Sequence, residues 1–147
     1  MYNFIKNLIR MKILVINGPN LNLLGKREND IYGSFTLHEL EQTLLNTFPQ
    51  VELSFFQSNI EGEIINCIQE FGGEAMVINA GGYTHTSVAI ADALRAVAKP
   101  YVEVHISNIY AREHYRHVSM LAASAKGVIA GLGKNSYVLA VQHLIGS

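Results

Sequence analysis

The chain has one cysteine, Cys67, so no disulfide can form within it, and a reducing compartment fits. It also lacks a charge excess. Eleven Lys and Arg stand against twelve Asp and Glu, where a nucleic-acid-binding surface usually shows a basic surplus. No stretch approaches the roughly 18 apolar residues of a membrane span. The run Ile13–Ile16, behind Lys6 and Arg10, is too short for a signal-peptide core. These absences predict a soluble, cytoplasmic protein with neither nucleic acid nor membrane as partner. Signatures of bound metal are missing as well: there is no C-x-x-C, no H-E-x-x-H and no set of clustered carboxylates. The glycines of Gly18-Pro19-Asn20 and Asn79-Ala80-Gly81-Gly82 match neither G-x-G-x-x-G nor a Walker loop. No lysine ends a core strand, which argues against chemistry through an imine.

What is present is one domain's worth of chain, 147 residues, long enough to bury a core and too short for two. Residues 1–10 read as an extension ahead of the first strand, with Met11 an alternative start. Short apolar runs at Lys12–Asn17, Val51–Phe56, Ala75–Asn79, Tyr101–His105 and Gly127–Ala130 read as strands, several buried on both faces. Helical periodicity covers the intervals. Thr36–Phe48 starts with a T-x-x-E capping box, Glu61–Phe71 stops at Gly72-Gly73, Thr86–Ala98 ends before Pro100, and Asn135–Ile145 turns Tyr137 and Val141 inward. This alternation predicts an α/β fold, a flavodoxin-like doubly wound parallel sheet of five strands. Ligands bind such sheets beyond the carboxyl ends of the strands. Polar residues do gather there, at Asn17–Asn20, at Asn79–His85 and at Glu103–Asn108.

Several of those residues have chemistry to offer, each beside a plainer alternative. The segment Asn20–Ser34 is longer than a routine strand-helix turn and carries Arg27 and Tyr32. Guanidinium groups favour a phenolate, so an Arg-Tyr lid can deliver a base while closing out water; the alternative is a solvated loop. Glu103 and His105 lie two apart on a strand and share a face, as an orienting carboxylate and a general acid would. A hydrogen-bonded histidine at a strand end is the competing reading. Backbone N–H groups at Ile106 and Ser107 can receive a carboxylate, though many turns look alike. His85 sits among the cap residues Thr84, Thr86 and Ser87. Asp92 follows two turns later and either reaches a site or pairs with Arg95. Arg112 and Arg116, four apart on an expected helix, either face one cleft or form a basic surface paired with Glu113. His38, His114, His117 and His143 show no partner pattern, and Cys67, beside the Ile64–Ile68 stripe, reads as buried and inert.

Taken together, INGPNLNLLGKRENDIYG, FFQSNIEGEIINCI, NAGGYTHTSVAIADAL, VEVHISNIYAREHYRHVS and GVIAGLG, in that order and spacing, resemble the type II 3-dehydroquinase family. The resemblance covers about nine-tenths of the chain, from Met11 nearly to the end. It implies a cofactor-free, metal-free dehydratase that converts 3-dehydroquinate to 3-dehydroshikimate in the shikimate pathway. Tyr32 would be the base, with Arg27 and Arg112 stabilising its phenolate. Asn20 would position a water at the enolate oxygen, and His105, oriented by Glu103, would protonate the leaving hydroxyl. Ile106 and Ser107 would bind the substrate carboxylate, and Asn79, His85 and Arg116 the ring hydroxyls. Asp92 would come from a neighbouring subunit, since the family looks like trimers assembled into dodecamers. Ala80 and Gly82 depart from the proline and alanine usual in the third-strand motif, which implies altered loop stiffness rather than lost chemistry. Two other readings compete: a non-catalytic anion- or nucleotide-binding module, and a metal hydrolase using His85, Asp92 and His105. The first lacks the acidic cluster of a phosphorelay receiver, and the second lacks ligand spacing.

Overall fold

The computed structural model describes residues 10–26 and 29–147. Strands β1 (Lys12–Asn17), β2 (Glu52–Gln57), β3 (Ala75–Asn79), β4 (Tyr101–His105) and β5 (Gly127–Ala130) form one parallel sheet in the order β2-β1-β3-β4-β5. This is the expected doubly wound arrangement. Its centre is the most apolar part of the chain: every residue of β3 and β4 is buried, and β1 exposes Lys12 alone. The helices are α1, a single turn at Asn29–Tyr32, then α2 (Leu37–Thr47), α3 (Glu61–Glu70), α4 (Val88–Val97) and α5 (Asn135–Gly146).

Alternation along the strands divides the core in two. Ile13, Val15, Val77, Val102 and Val104 pack on one face against Leu40 and Leu44 of α2 and Tyr137, Val141 and Leu144 of α5. Leu14, Ile16, Met76, Ile78 and Tyr101 pack on the other against Ile64 and Ile68 of α3 and Ile90 and Leu94 of α4. Chain direction then creates the site. From β1 the chain leaves toward α2 on the first face and next enters β2; from β3 it leaves toward α4 on the second face and next enters β4. Asn17 and Asn79 are register partners at the ends of β1 and β3. Beyond them the two exits diverge and leave a crevice, the switch point of a doubly wound sheet.

Local signals explain most boundaries. Thr36 Oγ1 accepts from the Glu39 N–H at 3.1 Å while the Glu39 carboxylate accepts from the Thr36 N–H at 2.8 Å, completing the capping box that starts α2. Ser87 caps α4 by accepting from the Ile90 N–H. Several boundaries shift by one or two residues from expectation, and two have a different physical cause. The second strand begins at Glu52, because the Val51 N–H closes a turn onto the Phe48 carbonyl. Nor does α3 stop on a left-handed glycine: Phe71 caps it in an extended conformation. Gly73 serves close approach instead, since a Cβ there would sit 2.3 Å from the Phe71 ring. The departure at Gly82 is permissive, with open space around a Cβ and no left-handed backbone. Residues 1–9, the greater part of the expected extension, lie outside the described residues.

Candidate active site

A cavity of about 240 Å³ opens at the switch point. Asn20, Tyr32, Asn79, His85, His105, Ile106, Ser107, Arg112 and Arg116 all line it, so nine of the twelve residues singled out in the sequence meet in one place. The other three stand differently. Glu103 lies behind the wall, Asp92 is on the exposed side of α4, and Arg27 lies outside the described residues.

Strand β4 supplies the most buried ionisable pair among the described residues. Its period of two sets Glu103 and His105 on one face, and His105 Nε2 lies 2.6 Å from Glu103 Oε1, with both side chains shielded from solvent. The His85 ring stacks near His105, centroids 6.3 Å apart. His85 Nδ1 faces the Val118 carbonyl at 2.7 Å. A carbonyl can only accept, so Nδ1 carries the hydrogen, and neutral His85 keeps Nε2 as an acceptor.

Burial pushes the His85 pKa below its ordinary 6.5, aided by repulsion from His105 and Arg116 and opposed by the Val118 hydrogen bond. A histidine with a lowered folded pKa binds fewer protons folded than unfolded. Its effect is therefore a loss of stability as pH falls through about 6.5, levelling below the folded pKa. His85→Gln should flatten that part of the acid side of a urea-denaturation series run from pH 7.5 to 5. An unchanged difference between variant and parent across the series would show that His85 titrates alike in both states.

At the end of β1, Asn20 takes a left-handed conformation, φ 68°, which asparagine tolerates better than most residues. Its N–H donates to Asn59 Oδ1 at 2.9 Å; Gln57 Nε2 donates to the same oxygen and to the Gly18 carbonyl. Gly18 is needed there, because a Cβ would lie 2.4 Å from the Ala80 carbonyl oxygen. Beneath, the Tyr137 hydroxyl donates to Asn17 Oδ1 at 2.6 Å and accepts from Asn79 Nδ2 at 2.8 Å, while Asn79 Oδ1 accepts from the Gly81 N–H. This buried relay joins α5 to the ends of β1 and β3. The helical periodicity turns Tyr137 inward but says nothing of its hydroxyl. The available signal was a tyrosine at a fully buried helical position, whose O–H needs an acceptor.

The arginines reach the cavity, but not from a helix. Arg112 caps the short 3-10 turn Ile109–Ala111 in an extended conformation, and Arg116 sits in a second 3-10 turn, His114–His117. Between them Glu113 accepts from Arg116 Nε at 2.8 Å and approaches Arg112 Nε at 3.8 Å. Hydrogen bonding to its own backbone N–H, then to Arg116, holds the Glu113 carboxyl down to about 2. The Arg112 guanidinium stands 5.2 Å from the centroid of the Tyr32 ring and donates to Ser107 Oγ at 3.3 Å. Cation, phenol and hydroxyl are thereby held on one wall. Ile106 and Ser107 themselves are buried.

Asp92 takes its plainer reading within this chain, hydrogen-bonded to Arg95 at i+3. His117 does find a partner, the Arg112 carbonyl at 3.2 Å from Nε2. Cys67 is half-buried rather than sealed, and burial, with Glu70, pushes its thiol up; a raised pKa keeps it protonated and unreactive. Among the described residues no group of three His, Cys, Asp or Glu is arranged to hold a metal, and no helix is long and apolar enough to cross a membrane.

Comparison with known proteins agrees with this geometry. The family model for class II dehydroquinase matches residues 11–145. A 3-dehydroquinate dehydratase of Prochlorococcus marinus is 55% identical over 139 residues, covering 92% of this chain and 96% of that one. One from Fusobacterium nucleatum is 53% identical over 143 residues, covering 92% and 97%. The crystal structure of the type II dehydroquinase from Butyrivibrio crossotus superposes with a TM-score of 0.90 at 45% identity, covering 92% of this chain and 98% of its own. A fold, a cavity at the switch point and a match along nearly the whole chain thus agree, and the chain belongs to the class II dehydroquinase family.

Proposed function

We infer that this protein is a 3-dehydroquinate dehydratase, a hydro-lyase of the shikimate pathway, and that residues 11–147 form its catalytic domain. The observation that carries the reading is the convergence of Tyr32, His105, Arg112 and Arg116 on one cavity of about 240 Å³. A phenol and an imidazole on one small cavity suit a base and an acid working on a single ring. Tyr32, as phenolate, removes the proton from the carbon beside the ketone, and the C–H electron pair becomes the enolate. Asn20 holds a water against the enolate oxygen. The enolate then collapses, the C–O bond to the neighbouring hydroxyl breaks, and His105 protonates that oxygen so that it leaves as water. Glu103 keeps the imidazole oriented. Arg27 and Arg112 favour the phenolate, Ile106 and Ser107 receive the carboxylate, and Asn79, His85 and Arg116 hold hydroxyls. The sequence needs no imine and no metal for these steps.

The same reading makes the enzyme a cytoplasmic homo-oligomer, trimers built into a dodecamer, with Asp92 of one subunit reaching a neighbour's cavity. Exposed Val88, Tyr115 and Val118 support it, since apolar side chains this open to water favour burial against another copy. One experiment tests both parts: absorbance of the conjugated enone formed from 3-dehydroquinate, measured across size-separated fractions. Activity should follow the oligomer and survive EDTA and borohydride. Activity lost to chelation would overturn the metal-free mechanism. Substrate-dependent inactivation by borohydride would point to an imine, and full activity in a monomer fraction would remove the role given to Asp92.

A further inference from the structure

Strand β4 presents Tyr101, Glu103 and His105 on one face, and the segment 119–124 closes over it. The Tyr101 hydroxyl ties that segment down through the Leu121 carbonyl and Ser124 Oγ. Within it, Ser119 Oγ lies 2.8 Å from Glu103 Oε2, the carboxylate oxygen that His105 does not use. The Leu121 and Ala122 N–H groups both donate to Ser119 Oγ, each at 3.1 Å. A serine hydroxyl has two acceptor lone pairs and one hydrogen. With both lone pairs taken by backbone donors, its hydrogen has one place to go, the Glu103 carboxylate.

We propose that Ser119 is a positioning residue for the dehydration, a one-way hydrogen-bond donor that fixes the Glu103 carboxylate and so keeps the His105 imidazole, held through Nε2, turned toward the cavity. The inference rests on the acid role given to His105 above. Glu103 is completely buried, so water cannot replace a missing donor without opening the 119–124 segment. A carboxylate with one unsatisfied oxygen can rotate, and rotation leaves the imidazole without a fixed partner. Val118, one residue earlier, fixes His85 through its carbonyl, so two adjacent residues set the orientation of both stacked histidines.

The test is steady-state kinetics on Ser119→Ala, Ser119→Thr, Ser119→Cys, Glu103→Gln and the double variant Ser119→Ala/Glu103→Gln. A hydrogen bond to a charged group corresponds to about 10- to 100-fold in rate. Ser119→Ala should lose about that much kcat with KM within roughly threefold, because Ser119 does not touch substrate. Ser119→Thr, which keeps the hydroxyl, should recover most of it. Ser119→Cys, a weak donor of similar size, should fall between and carries the test if the alanine variant does not fold. In the Glu103→Gln background the alanine change should add less than about twofold, since a residue acting through Glu103 has nothing left to orient. Wild-type kcat in Ser119→Ala or Ser119→Cys, or losses that multiply in the double variant, would overturn the proposal. If Glu103→Gln itself keeps full activity, the fault lies with the acid role of the Glu103–His105 pair instead.

Discussion

Tyr32→Phe is expected to lower kcat by about 10²- to 10⁴-fold, the span of general acid-base catalysis, with little change in thermal stability. The phenol lines the cavity while its ring packs at the edge of the core cluster of α2 and α5. Phenylalanine keeps that packing and the ring under the Arg112 guanidinium. Only the oxygen is lost, and with it the acceptor for the substrate proton. A loss confined to the chemical step lowers kcat and kcat/KM together. If instead KM rises with kcat preserved, Tyr32 binds substrate and another group is the base. Enone absorbance under substrate saturation separates the two, and a near-normal kcat would remove Tyr32 from the proton transfer.

Tyr137→Phe should have the largest effect on the fold, about 2–4 kcal/mol of stability. At this chain length that corresponds to a fall of roughly 5–15 °C in Tm. The ring is fully buried and its hydroxyl is the hub of the Asn17–Tyr137–Asn79 relay. Removing the oxygen leaves the buried Asn17 Oδ1 and Asn79 Nδ2 without their partner, which costs about 1–3 kcal/mol for each. Burial raises the Tyr137 pKa far above its ordinary value, so the neutral hydroxyl is the form lost. The amide of Asn79 also lines the cavity, so KM should rise alongside the drop in Tm. Thermal and urea unfolding at matched protein concentration would measure the effect. A change under about 0.5 kcal/mol would mean that water enters and restores both bonds.

Much of the architecture was legible beforehand because its causes are local. Apolar runs of strand length separated by helical stripes point to the parallel sheet, and the Thr36–Glu39 capping box places the start of α2 within a residue. Glu103 and His105 could be paired from spacing alone, because a strand's period brings alternate side chains to one face. The arginines were right in destination and wrong in route. Spacing of four suggested a helix, yet the chain between β4 and β5 runs through short 3-10 turns, and Glu113 gathers both guanidiniums. Asp92 pairs with Arg95 at i+3 within the chain, as its spacing allows. Arg27 lies outside the described residues.

Sequence by itself determined the composition of the site: which residue types stand at the carboxyl ends of the strands, and which neighbours along the chain share a face. Tertiary structure alone decided which of those ends meet. Tyr137 reaches Asn79 across 58 residues and Asn17 across 120, and Ser119 reaches Glu103 across 16. Such distances are closed by the register of the parallel strands and by packing of α5 on the sheet. No periodicity within any one segment encodes them, because hydrogen-bond partners that far apart become neighbours only once the whole sheet has formed.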